Sequence, residues 1–169
     1  MAERSSAFSI LVGQSAEEEK LLLNHLYRIG VNSQGWYAVH AHLSGLQAGN
    51  KQPKYIRIAT QAFDTVINNF ESTLYVMSNF DMILVSKETP IEAIDEVLST
   101  VRSLFSEDPL TEGEEGLFED RFTTWYDLSQ ASDLTAIDAD VKFLSEEAER
   151  LRTEEVEERT SSLINQMDG

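Results

Sequence analysis

The segment that most constrains the fold is residues 72–87, where two runs of β-branched and large apolar residues flank a polar interruption at 78–81. This is the pattern of a β-hairpin. Both runs are apolar at successive positions, so both strands are expected to be central in their sheet rather than solvated on one side. The interruption lacks the Asn-Gly or Asp-Gly pair that favours a tight two-residue turn. Asn79 is the residue best able to take a positive φ there, and Phe80 sits in the turn without a local reason. An aromatic side chain at a hairpin tip either packs on something or blocks something.

The rest of the chain supplies what such a hairpin pairs with and packs against. Its 169 residues are enough for one domain with a sizeable core and an extension. There is no cysteine, which excludes disulfides, thiolate metal sites and thiol nucleophiles. No apolar run approaches a membrane span, and residues 1–6 lack the basic-then-apolar order of a signal peptide, so a cytoplasmic location is expected. The net charge is −17 and unevenly spread. Residues 1–90 hold 8 acidic and 7 basic side chains, whereas residues 91–169 hold 22 and 6. Nucleic acids and anionic membranes need cationic patches, so neither is an expected partner.

Taken in order, residues 8–12 read as a short strand closed by Gly13, and Ser15 with Glu18 resembles a capping box opening a helix. Leu21, Leu22, His25, Leu26 and Ile29 lie on one stripe of that helix, which stops at Gly30. Residues 36–43 form the next strand, with Ala38, His40 and His42 on one face and Tyr37, Val39, Ala41 and Leu43 on the other. A polar loop then leads to a helix over residues 55–70 whose apolar face includes Ala62, Phe63, Val66 and Ile67. After the hairpin, Thr89-Pro90-Ile91-Glu92 predicts a helix start with Thr89 as its cap. An acidic loop follows at 106–120, then a strand at 122–128, in which Trp125 and Tyr126 read as core and sheet-face residues. From about Asp133 a helix carries Ile137, Val141, Leu144, Ala148 and Leu151 at four-three spacing, and the frame breaks at Glu155 and Glu158. Val156, Leu163, Ile164 and Met167 resume it in a shifted frame, as in a helical linker or coiled coil.

The order strand, helix, strand, strand, helix, strand, helix predicts an α+β fold. It is the ferredoxin-like, split βαβ arrangement: an antiparallel sheet with helices on one face and the other face partly open. An N-terminal helix and a long C-terminal helix are added to it. The expected divisions are an N-terminal strand and helix at 1–34, the main domain at 35–152 and a helical tail at 153–169.

From residue 36 to residue 151 this order resembles the catalytic domain of diguanylate cyclases, the GGDEF family. That family carries Gly-Gly-Asp/Glu-Glu-Phe at its hairpin tip, where this chain reads Asn79-Phe80-Asp81-Met82-Ile83 and only Asp81 matches. The family's first strand ends in an Asp-x-Asp segment whose first Asp binds the catalytic metal, and here His40-Ala41-His42 stands in its place. The family's inhibitory Arg-x-x-Asp is replaced by Phe70-Glu71-Ser72-Thr73. The whole chain is similar to the N-terminal part of alphaproteobacterial proteins that join a degenerate GGDEF-like domain to an EAL-like domain. Neither the His40 imidazole nor the Met82 thioether is a good Mg²⁺ ligand, and Asn79-Phe80 removes the backbone freedom of two glycines.

The resemblance therefore implies a pseudo-enzyme without a cofactor, acting as a regulatory or protein-interaction domain in cyclic di-GMP signalling. Its partner would be a protein or a downstream EAL-like domain, and self-association through the terminal helices would be weak. The alternative is a module that senses a nucleotide or small ligand in the remnant groove formed by His40, His42, Asn79, Phe80 and Asp81. His40 and His42 also have the spacing a metal accepts, with Asp81 or His25 as a third ligand, which would allow a metalloenzyme. Two histidines lining a half-open sheet face is the simpler expectation, with no metal. No nucleophile elbow, phosphate-binding loop or dinucleotide fingerprint is present.

Overall fold

The computed structural model describes residues 17–112 and 120–168, which form four strands and five α-helices joined by loops and three short 3₁₀ turns. The expected strand at 8–12 and the cap at Ser15 lie outside the described residues. The elements are α1 (Glu17–Ile29), β1 (Trp36–Ala41), α2 (Pro53–Gln61), α3 (Asp64–Asn69), β2 (Glu71–Val76), β3 (Met82–Lys87), α4 (Ile91–Leu104), β4 (Thr123–Asp127) and α5 (Ala131–Asp168).

The sheet has the order β2-β3-β1-β4, and every neighbouring pair is antiparallel. In the pairing Val39 lies opposite Leu84 on one side and opposite Trp125 on the other. The fold is α+β, as the element order predicts. β3 is central, but β2 is an edge strand, which corrects the expectation that both hairpin strands would be internal. Apolar residues on both faces of β2 report cover above and below the sheet, not a neighbour on each side. Leu74 and Val76 enter one core, and Tyr75 enters the other.

Those two cores make the molecule three layers. On one face α2, α3 and α4 pack Ile56, Ala59, Phe63, Val66, Ile94, Leu98 and Val101 against Val39, Ala41, Leu74, Met82 and Leu84. The expected single helix at 55–70 is broken near Ala62 into α2 and α3, with Phe63 turned into this core. The opposite face, expected to be partly open, is covered by α1 and α5. Leu22, Leu26, Ile29, Ile137 and Val141 cover Ala38, Tyr75, Ile83, Val85 and Tyr126 there. The two helices run side by side in opposite directions, with Gly30 beside Leu134 at one end and Lys20 3.6 Å from Glu149 at the other. α1 thus supplies three of the five buried helical side chains, Leu22, Leu26 and Ile29, that close the second core.

Two local expectations also change. Thr89 does not cap α4. Its buried hydroxyl bonds instead with the Ser86 hydroxyl and the Lys87 carbonyl, and Pro90 precedes the first helical turn. At the hairpin tip it is Phe80, not Asn79, that takes the positive φ, at 77°. A bulky residue holds such a conformation only when its surroundings over-determine it. Here the Phe80 amide donates to the Met77 carbonyl at 2.9 Å and the ring packs on the α2–α4 core.

α5 is 38 residues long, about 57 Å at 1.5 Å per residue. Its last buried side chain is Ala148, and every side chain from Glu149 to Gln166 is exposed. Arg150 pairs with Glu147 and Glu154, and Arg159 pairs with Glu155, one turn away on the same helix face. No helix among the described residues is long and apolar enough to cross a membrane.

Two measurements check this division. A chain ending at Arg152 should fold and melt within a few degrees of the full chain, because no buried side chain is removed; an unfolded product would place the tail in the core. Leu22→Ala, by contrast, should cost about 2–5 kcal/mol in urea unfolding, the range for emptying a closed core site. A loss near zero would show that α1 is dispensable.

Candidate functional site

Alternation along β1 puts His40 on the Ala38 side of the sheet, facing α1 and α5, while Val39 and Ala41 face the other helices. Asp81, the last residue of the hairpin turn, reaches the same side. His40 Nε2 and Asp81 Oδ2 are 2.8 Å apart, and both side chains are about 95% buried. The other carboxylate oxygen accepts the Ser44 backbone N–H at 2.8 Å, which fixes the chain where it leaves β1. Asn79 completes the turn: its Oδ1 accepts the Asp81 N–H at 3.0 Å, and the Met77 N–H donates to the Asp81 carbonyl at 2.7 Å.

His42 lies just beyond β1, half-buried, with its ring stacked on that of His40 at a centroid distance of 4.0 Å. Its Nε2 is 2.7 Å from the Thr124 hydroxyl on β4. Nearby, the Tyr126 hydroxyl donates to Asp140 of α5 at 2.7 Å. Burial, reinforced by the carboxylate of Asp140, raises the Tyr126 phenol well above its usual pKa.

The electrostatics follow from this geometry. Burial pushes the Asp81 carboxyl upward, but the bonds from His40 and Ser44 outweigh it and leave the pKa below the ordinary value. His42 is lowered by burial and then by His40, against smaller opposing pulls from Asp81, Asp140 and Asp120. At neutral pH the pair is therefore a carboxylate beside a neutral His42. Among the described residues, His40 Nδ1 is one of two buried side-chain nitrogens or oxygens without a hydrogen-bond partner, the other being Arg102 Nε.

Of the five expected site residues, the structure brings together His40, His42, Asn79 and Asp81. Phe80 is not among them, because its ring goes to the opposite face of the sheet. Asp81 is the third member of the histidine cluster rather than His25, whose Nδ1 is 2.7 Å from the Tyr75 hydroxyl. The histidines do not line a half-open face, since α1 and α5 cover it. The opening nearest the hairpin tip is a cleft of about 180 Å³ between Ser78, Asn79 and the α5 residues Leu144, Ala148, Leu151 and Arg152. That is below the usual 300–1,000 Å³ of small-molecule sites.

Glu19 was legible only as an acid in the first turn of a helix. It is 1% exposed, and its Oε2 accepts the Ser78 backbone N–H at 2.7 Å, tying α1 to the hairpin tip. Thr124 and Ser44 likewise carry no local sequence signal; each matters because β4 or the loop after β1 arrives at this corner. No family model, curated protein or solved structure matches the chain.

Removing the Glu19 acceptor leaves the Ser78 N–H buried without its partner. Glu19→Ala should therefore cost about 1–3 kcal/mol in denaturant unfolding, and Glu19→Gln, which keeps a carbonyl acceptor, distinctly less. Equal losses would point to packing rather than the hydrogen bond.

Proposed function

We propose that this chain is a non-catalytic regulatory domain of the degenerate GGDEF-like kind, acting through protein contacts rather than turnover. The observation that carries the reading is the state of the two positions where the cyclase resemblance expects metal-binding carboxylates. His40 occupies the first, with its ring turned inward onto Asp81. Met82 occupies the second, 1% exposed within the α2–α4 core. Cyclisation of two GTP molecules needs hard oxygen ligands for Mg²⁺ beside the phosphates, and these two side chains offer none.

The arrangement around them supports the same reading. The hairpin tip meets the end of β1, as the resemblance implies, but α1 and α5 cover the sheet face behind it. α5 is exposed beyond Ala148, where Leu151, Val156, Leu163 and Ile164 are each at least half exposed. In this proposal α5 is the output element, passing the state of the domain to a protein partner or an EAL-like domain. Pairing of two such helices would be weak and weakened further by salt: the four glutamates Glu154, Glu155, Glu157 and Glu158 repel in a parallel pair.

Purified protein supplied with GTP and Mg²⁺ or Mn²⁺ should form no cyclic di-GMP by chromatography. GTP, GDP and cyclic di-GMP should likewise leave the melting temperature unchanged, since a ligand bound only by the folded state would raise it. Product formation abolished by Asp81→Asn would overturn the pseudo-enzyme reading. A saturable shift lost in His42→Ala would favour a nucleotide sensor instead.

A further inference from the structure

We propose that His40, His42 and Asp81 bind one transition-metal ion of the zinc class, which clamps the β2–β3 hairpin turn to the end of β1. The inference does not depend on the regulatory reading above.

Geometry comes first. The three residues come from two separate segments, and each offers a ligand atom within 4.8 Å of the other two. Tetrahedral coordination with bonds of about 2.0–2.2 Å places donors about 3.4 Å apart. His40 Nε2 and Asp81 Oδ2 now share a hydrogen bond at 2.8 Å, which the ion would replace, the two atoms moving apart by about 0.6 Å to reach that spacing. The remaining adjustment falls on His42, the half-buried member of the set and so the one free to turn toward an ion arriving from solvent.

The supporting contacts are those that metal ligands usually have. Asp81 is held through its second oxygen by the Ser44 N–H, and His42 by the Thr124 hydroxyl. Partners of this kind fix ring and carboxylate orientation at metal centres.

The donor set selects the ion. Two imidazoles and a carboxylate suit zinc, cobalt, nickel or iron, whereas magnesium and calcium require oxygen ligands. The surroundings favour a cation, since Asp120 and Asp140 join Asp81 in acting on His42. The ion would join the β1 end to the hairpin turn, with β4 steadying His42 through Thr124. Its effect would be on the stability and rigidity of the hairpin end.

The test uses the full chain after chelator treatment. Zinc chloride titrated into it calorimetrically should bind one ion per chain with a dissociation constant of about 10 μM or tighter, and should raise the melting temperature by mass action. Cobalt should give the visible absorption of a low-coordinate site, and millimolar magnesium should do neither. His42→Ala, at a half-exposed position that leaves the core intact, should weaken zinc binding by at least about tenfold, and Thr124→Val by about tenfold. The paired variant Glu157→Gln/Glu158→Gln on the projecting helix should bind as the unaltered chain does. The proposal is overturned if zinc at about 100 μM gives no saturable heat and no melting shift. It is equally overturned if His42→Ala binds undiminished, or if the glutamate variant loses the binding, which would assign it to the acidic helix.

Discussion

Every strand of this sheet presents apolar side chains both above and below, and that single constraint organises the molecule. A sheet buried on one face only would leave Ala38, Tyr75, Ile83, Val85 and Tyr126 in water. At roughly 25 cal/mol per Å² of apolar surface, such exposure is too costly for a domain of this size to carry. Two layers of helix are therefore required. The helices between the strands can supply only one, because their short connections return them to the same side. The second layer has to come from the ends of the chain, and α1 and α5 provide it by packing against each other as well as on the sheet.

Closing both faces buries the polar groups at the sheet's loop ends, and carboxylates satisfy many of them. Glu19 accepts the Ser78 N–H, and Asp81 accepts that of Ser44. Asp108 accepts those of Gln47 and Leu110, and Asp120 that of Phe122. Asp120 is itself held by Arg102, whose Nη2 lies 3.0 Å from both of its oxygens while the guanidinium rests over the Phe122 ring. A charged acceptor makes a stronger bond to a main-chain N–H than a neutral one, so Glu19, Asp81 and Asp108 pin loops to segments distant in sequence, and Asp120 does so through Arg102. The acidity of the chain thus has two origins. Some carboxylates are internal clamps, and many others are solvent-exposed on α5.

α5 combines both roles in one helix. Up to Ala148 it is a core element, with Ile137 and Val141 fully buried. Beyond that point every described side chain up to Gln166 is exposed, and Glu149 meets α1 only at the surface, through Lys20. Its helicity there rests on continuity with the packed half and on the exposed Arg150 and Arg159 pairs with neighbouring glutamates, which contribute little each.

Much of the fold was legible in residue order because it is set by local periodicity. The alternation of Ala38, His40 and His42 against Val39, Ala41 and Leu43 survives, as do the hairpin and the stop at Gly30, whereas the core-facing pattern ends at Ala148 and the expected last member, Leu151, is exposed. The sequence also singled out His40 and His42, whose shared face follows from strand period, while Asp81, in the turn, stood beside them through the family resemblance and as one of two possible third ligands. Other features depended on which segments meet. β2 lies at the sheet edge, α1 closes a core, Phe80 takes the strained turn position and Glu19 is buried. The contacts that decide the candidate site join residues 41 and 59 positions apart, His40 with Asp81 and Glu19 with Ser78. Periodicity acts over a few residues and fixes which way a side chain faces. What it then meets is decided only when the layers close, because burial and hydrogen bonding are properties of the assembled fold.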